Sequence, residues 1–330
     1  MKPRLFSQLG REVSEIGLGT WQLGGTEWGP VSEEDAMETL QAAAESGMTF
    51  IDTADIYGMG RSETLIGRFL QQRPDRDRFF IATKVGRRPD PGWPKNFSRE
   101  VLFQHVEDSL RRLQVETIDL VQLHCLPIDV LQQGEVFAHL RELRRQGKIK
   151  AFGASVETMA EALVCLQQEE LASLQIIFNI FRQKPIDVLF EKARQKQVAL
   201  IARLPLASGL LGGKLSAETA FGERDHRQFN RDGRAFNIGE TFAGLPFERG
   251  VELIGYLRPL VPEGMTMAQL ALRWCLDFEA ITTVIPGSKR AKQVRENAAA
   301  SELAPLPETI HRRLRQFYED EVVSYIRGPY

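Results

Sequence analysis

The sequence predicts an α/β protein: a closed (β/α)8 TIM barrel with an N-terminal β-hairpin and a long loop after the seventh barrel strand, ahead of an open doubly wound sheet as the alternative. Three observations point there. Eight short apolar runs alternate with longer amphipathic stretches, the pattern of strands and helices in turn. The length of 330 residues suits one large barrel. No linker, repeat or low-complexity tract divides the chain, so residues 1–330 are expected to form a single domain.

The elements follow in order. Residues 4–9 and 12–16 flank Gly10-Arg11, a hairpin signal, expected to plug the bottom of the barrel. The barrel strands are read at 16–20, 48–52, 79–84, 118–124, 149–155, 174–179, 198–203 and 281–286. Each is rich in β-branched or aromatic residues and nearly free of polar ones, as parallel strands buried on both faces are. Leu102, Val106, Ser109, Leu110 and Leu113 make one helical stripe; Val136, Leu140 and Leu143 make another that ends at Gly147. Ser32 with Asp35 and Thr266 with Gln269 read as capping boxes. Residues 208–246 carry Gly, Asn and charge without an apolar period, and loops this long are usually functional or mobile.

Bulk properties exclude several classes. A net charge of −2 without a run of one sign argues against nucleic-acid binding. Three scattered cysteines, Cys125, Cys165 and Cys275, suit a reducing compartment rather than a disulfide framework, and Cys125 reads as core packing. The N-terminus lacks a signal-peptide core, and no apolar run is long enough to span a membrane, so a cytoplasmic location is expected. The five histidines show no metal-ligand spacing, so no metal is expected.

Chemistry concentrates at strand ends. Asp52 ends the second predicted strand, with Tyr57 in the loop beyond; Lys84 ends the third and His124 the fourth. Parallel barrel strands share one C-terminal rim, so these four should converge. A single strand-end Asp or His is readily structural, but four at successive strand ends form one device. An ammonium beside a phenol should lower its pKa, a carboxylate should hold the ammonium, and an imidazole can donate to a carbonyl oxygen.

The chain resembles the aldo-keto reductase superfamily. The resemblance rests on Gly17-Leu-Gly-Thr-Trp21, Phe50-Ile-Asp-Thr-Ala-Asp-Ile-Tyr57-Gly, Ala82-Thr-Lys84, Leu123-His124, Gly153-Ala-Ser155, Gln175-Ile-Ile-Phe-Asn179 and Ile285-Pro-Gly-Ser288. It implies a catalytic tetrad of Asp52, Tyr57, Lys84 and His124, with nicotinamide cofactor bound on a barrel. No GxGxxG stands at a strand–helix junction here.

The last predicted strand runs into Ser288, Lys289, Arg290 and Lys292, cations read as crowding the first turn of a helix that starts at Lys289. Cations there oppose the helix dipole, and a phosphate would relieve the conflict; a solvated basic surface is the plainer alternative. The resemblance places the 2′-phosphate of NADP at Ser288 and Arg290, and the adenine near Gln293, Glu296 and Asn297. It places Ser155 and Gln175 at the carboxamide, Leu206 and Ser208 at the pyrophosphate, and Gly19, Thr20 and Trp21 against cofactor and substrate. Gly287 stands where many relatives have a phosphate-binding lysine, and Val156 where an asparagine is usual. Arg203 replaces a stacking aromatic; it either disfavours the positively charged oxidised cofactor or turns toward a carboxylate elsewhere.

The expected activity is reduction of aldehydes or ketones to alcohols with NADPH, Tyr57 acting as general acid. The partner is a small carbonyl compound meeting Trp21, Tyr57 and His124, with Trp28, Trp93 and the 322–330 tail also on the rim; an aromatic rim suits apolar carbonyl compounds. No dense basic cluster singles out a phosphorylated sugar, though Arg87, Arg88 and Arg227 could reach one. Two alternatives stand beside it: an NADP-binding regulatory or redox-sensing subunit with little turnover, and an aldolase using Lys84 as a Schiff base.

Overall fold

Buried apolar runs become strands because their only unsatisfied groups, the backbone amides and carbonyls, pair with neighbours in a sheet. The computed structural model describes residues 1–25 and 27–330. Its strands are β1 (Pro3–Phe6), β2 (Arg11–Ser14), β3 (Leu18–Gly19), β4 (Phe50–Asp52), β5 (Phe80–Val85), β6 (Ile118–His124), β7 (Ile149–Ser155), β8 (Leu171–Ile177), β9 (Ala199–Arg203) and β10 (Ile281–Val284). β3 to β10 pair in sequence order, every pair parallel. Bridges Ile16 to Val284 and Gly19 to Gly287 join the two ends, so the sheet closes into a barrel. The predicted architecture is the one observed.

β1 and β2 form the expected antiparallel hairpin, with Phe6 opposite Arg11. Its turn is Ser7–Leu9 followed by Gly10 at φ +58°, so Arg11 belongs to the strand rather than to the turn. Phe6 and Val13 enter the lower barrel and pack with Phe50, Phe80, Leu120 and Ile201. The Phe6 and Phe80 ring centres are 4.9 Å apart, and Phe50 stacks on Phe80 at 5.1 Å. Burying each such ring stabilises the fold by about 1.5–3 kcal/mol.

Helices wrap the outside. Arg99–Leu113 buries Leu102, Val106, Ser109, Leu110 and Leu113 as its periodicity predicts, and Ser98 accepts from the Val101 amide. Glu135–Arg145 buries Val136, Leu140 and Leu143, and Gly147 follows at φ +74°. Thr266 and Gln269 form a full reciprocal capping box; Ser32 accepts from the Asp35 amide, one half of such a box.

Most strand ends shift by one or two residues, and three larger differences from expectation stand out. β8 begins at Leu171, not 174, because Ala172 and Ser173, though buried, are too small or polar to read as an apolar run. Gly153 is required opposite them: a Cβ there would lie 2.1 Å from Ser173 Oγ. The last cofactor-side helix is Ala291–Ala298 with Arg290 as N-cap, so only Lys292 of the three cations stands in its first turn. Residues 208–246 contain short helical turns and bury His226, Asn230, Glu240, Phe242 and Leu245, a packed cover rather than a loose excursion. Among the described residues, no helix is long and apolar enough to cross a membrane.

Candidate active site

Alternation along each strand places every second side chain inside the barrel. Above the apolar plug this puts Asp52 (β4), Lys84 (β5), Gln122 and His124 (β6), Ser155 (β7), Gln175 (β8) and Arg203 (β9) around one rim. Registers link them: Lys84 lies opposite Gln122, His124 opposite Ser155, and Ser155 opposite Gln175.

The four strand-end residues do converge. Lys84 Nζ donates to Asp52 Oδ1 at 2.5 Å, to Thr53 O at 2.9 Å and to Tyr57 Oη at 3.2 Å, so all three ammonium protons are engaged. Asp52 Oδ2 accepts from Gln175 Nε2 at 2.8 Å and Gln122 Nε2 at 3.5 Å. The Tyr57 and His124 rings meet edge-on at 6.0 Å, and His124 Nδ1 has no protein partner.

Electrostatics corrects one expectation. Burial pushes the Tyr57 phenol up to about 12; Lys84 pulls it down, but burial and Asp52 prevail. The phenol therefore holds its proton at neutral pH. Burial also opposes the charge on Lys84, yet Asp52 and Tyr57 raise its pKa, so the ammonium persists. His124 is held well below its ordinary range by burial and then by Arg87, Lys84 and Arg203, so its ring is neutral.

A cleft of 680 Å³ opens onto these groups. One continuous lining includes Tyr57, His124, Ser155, Gln175 and Arg203 at one end, Leu206 and Ser208 between, and Ser288, Lys289 and Gln293 at the other. Gly19, Thr20 and Trp21 also line it. Arg290, Glu296 and Asn297 lie outside that lining. Arg290 is exposed, Glu296 sits 3.8 Å from Lys292, and Asn297 Nδ2 donates to Ser288 Oγ at 3.1 Å.

Several side chains have partners that sequence did not reveal. Thr20 Oγ1 donates to Asp52 O at 2.8 Å, and Ser208 Oγ bridges Glu240 O and the Phe242 amide, both at 3.1 Å. Arg203 Nη1 lies 3.4 Å from Glu240 Oε1, and Nη2 donates to Val156 O at 3.2 Å. Arg203 is thus matched by a carboxylate from the long loop, the second of its two expected arrangements. Burial raises Glu240, but Arg87 and Arg203 beside it hold its carboxyl down at about 2. Cys125 faces this cluster, its Sγ 3.6 Å from Arg203 Nη2, rather than the core. Burial pushes the thiol up to about 11. Cys125, Glu157 and Glu240 gather their ligand atoms as a metal trio would, but Arg87 and Arg203 supply the positive charge there.

Sequence reasoning also missed Gln22. Its amide lies so close over Gly287 that a Cβ at 287 would be 2.2 Å from Nε2, and its buried Oε1 has no protein partner. Trp93 and the tail lie outside the cleft lining: Trp93 packs on Phe97, and Arg327 pins the tail to Gly244, Leu245 and Asp232.

Known proteins share this sequence pattern and fold. The family model described as "Aldo/keto reductase family" matches residues 15–319. The aldo-keto reductase YhdN of Bacillus subtilis is 31% identical over 296 residues, covering 88% of this chain and 85% of its own. The NADH-specific methylglyoxal reductase of Escherichia coli is 29% identical, covering 87% and 90% respectively. The structure of aldo-keto reductase AKR11C1 from Bacillus halodurans, in holo form, superposes with a TM-score of 0.79 at 26% identity, over 99% of this chain and 100% of its own. Motif, closed barrel and match over nearly the whole length lead to one conclusion: this chain belongs to the aldo/keto reductase family of oxidoreductases.

Proposed function

We propose that this protein reduces aldehydes or ketones to alcohols with NADPH. The observation that carries the reading is the Tyr57 hydroxyl bonded to a buried Lys84–Asp52 pair, beside a neutral His124, at one end of a dinucleotide-sized cleft. The residues present suit such a cofactor. Unpartnered Gln22 Oε1 and Arg203 Nε belong to lining residues, and the lining runs unbroken from Tyr57 to Gln293. Ser155, Gln175 and Arg203 would hold the nicotinamide end, and residues 206–208 the pyrophosphate. Ser288 and Arg290 would hold the 2′-phosphate, with Gln293, Glu296 and Asn297 near the adenine.

When bound, the reduced nicotinamide supplies hydride to the carbonyl carbon. The chain supplies the proton and the orientation. Tyr57, protonated at neutral pH, gives its proton to the carbonyl oxygen as general acid. Neutral His124 donates a hydrogen bond to the same oxygen. Lys84 stabilises the phenolate left behind, and Asp52, held by Gln175 and Gln122, positions Lys84.

A preference for NADPH is supported by Lys289 and Arg290, neither of which has a carboxylate partner among the described residues. Cofactor choice varies among relatives, one of which is named NADH-specific. Fluorescence titration tests the choice. NADPH should bind at least about tenfold more tightly than NADH, and Arg290→Ala should narrow the gap. Equal affinities in the wild type would remove the phosphate assignment. Turnover of an aldehyde panel tests the reaction class.

A further inference from the structure

Beside the turn that carries Tyr57 lies a buried polar cluster that the proposed reaction does not use. Tyr57 closes the turn Ala54–Tyr57, its amide donating to Ala54 O at 3.1 Å. Asp55, inside that turn, donates its own amide to Lys84 O at 3.1 Å. The backbone thus ties Asp55 to both Tyr57 and Lys84. Its side chain is fully buried and takes no part in the cleft lining. Among the described residues, neither carboxyl oxygen meets a donor in hydrogen-bonding geometry. Oδ2 lies 3.8 Å from Nδ1 of buried His105, which also has no partner among the described residues. That separation exceeds a direct hydrogen bond, yet each group faces the other with nothing else to bond.

Other charges face the pair from the neighbouring elements, and each is committed elsewhere. Glu63, on helix Arg61–Gln71, accepts from Thr83 Oγ1 at 2.5 Å and from Arg112 Nε at 2.7 Å. Arg88, in the loop after β5, donates to Asp108 Oδ2 at 3.1 Å; Asp108, Arg112 and His105 all belong to helix Arg99–Leu113. Both guanidiniums already hold another carboxylate, and Glu63 adds a like charge. An ionised Asp55 would therefore be a buried charge without a counter-ion, which is strongly unfavourable.

A neutral carboxyl has a proton to give, and the imidazole has a lone pair to receive it. The Asp90 carbonyl favours a proton on the ring nitrogen beside it, which leaves Nδ1 as the acceptor. Burial and then Glu63 push the Asp55 carboxyl up to about 8, against Arg88, Arg112 and the Ile56 amide. Burial and then Arg88 hold His105 below its ordinary range.

Resting on the reductase reading, we propose that Asp55 and His105 hold one proton between them, directly or through a water, and that this neutral pair is a positioning element for Tyr57. It supports the turn from the side away from substrate and keeps the phenol in register with Lys84.

Two measurements on the full chain test this. The first is turnover of the fastest substrate of the aldehyde panel at pH 7 with saturating NADPH. Asp55→Ala should lower kcat by at least about tenfold, with KM and NADPH affinity within about twofold of wild type. Asparagine keeps the shape of the side chain and can donate to Nδ1, so Asp55→Asn should exceed Asp55→Ala in kcat by at least about fivefold. Wild-type kcat in Asp55→Ala, or an Asn variant no faster than the Ala one, would overturn the positioning role.

The second measurement needs only folded protein. The folded carboxyl binds its proton more tightly than an unfolded one, so wild-type stability is lost as pH rises from the ordinary carboxylate range toward 8. Asparagine does not titrate. The Tm of Asp55→Asn relative to wild type should therefore rise by at least about 3 °C between about pH 5 and 8. On a His105→Phe background that rise should shrink to about half or less, because Nδ1 no longer accepts the proton. A constant Tm difference, or a rise unchanged by His105→Phe, would overturn the shared proton. No turnover of any aldehyde while NADPH binds tightly rejects the reductase reading and the positioning role with it, whereas the shared proton is decided by the Tm data alone.

Discussion

The lower and upper halves of the barrel interior are built by the same strands and differ completely. Two residues below Asp52 on β4 stands Phe50, and four below Lys84 on β5 stands Phe80; both rings join the hairpin's Phe6 in a dry stack. At the upper rim the same strands present a buried ammonium, a carboxylate, an imidazole, amides and a guanidinium. The lower half gains free energy by removing apolar area from water. The upper half carries groups whose burial is unfavourable unless every charge finds a partner, and it is arranged so that nearly every charge does. One end stabilises the barrel, and the other is held in place by it.

This division is open to attack from both sides. The largest effect expected is at Tyr57. Removing one hydroxyl in Tyr57→Phe should lower kcat by about 10²–10⁴-fold, with NADPH affinity by fluorescence nearly unchanged. Full activity in that variant would end the general-acid assignment. Phe50→Ala, below the site, should cost about 3–5 kcal/mol in denaturant unfolding. A loss of turnover without loss of stability would blur the two halves. The pH profile sharpens the upper half. With the phenol at about 12, the protonated acid dominates throughout the neutral range. Carbonyl reduction should therefore show no fall assignable to phenol ionisation between about pH 6 and 9, whereas alcohol oxidation, which needs phenolate, should rise with pH. A kcat midpoint for reduction inside that window that vanishes in Tyr57→Phe would contradict this. The smallest effect lies outside both halves. Thr266→Ala should remove a helix cap worth about 0.5–2 kcal/mol and leave kcat alone.

Much of this contrast was legible before folding. A parallel strand buried on both faces must be apolar for most of its length, so an Asp, Lys or His at its end is conspicuous. That made Asp52, Lys84 and His124 readable, and the aspartate–tyrosine block supplied Tyr57. β8 was misplaced by three residues because Ala172 and Ser173 carry no apolar signal. Arg203 was left with two arrangements because its partner, Glu240, comes from a loop without periodicity. Gln175 was read through the resemblance as a cofactor contact, and its amide donation to Asp52 went unseen. Gln22 carried no signal at all, being a polar residue whose meaning depends on Gly287 across the closed seam.

The order of elements, the closed barrel and the identities of the rim residues were determined by local patterns of apolar runs, stripes, caps and strand ends. These patterns act between near neighbours in the chain. The protonation of Tyr57 and the pairing of Arg87 and Arg203 with Glu157 and Glu240 were decided by tertiary structure alone. Desolvation and Coulomb energy depend on distance through space, and only the closed sheet brings residues from 57 to 240 within reach of one another.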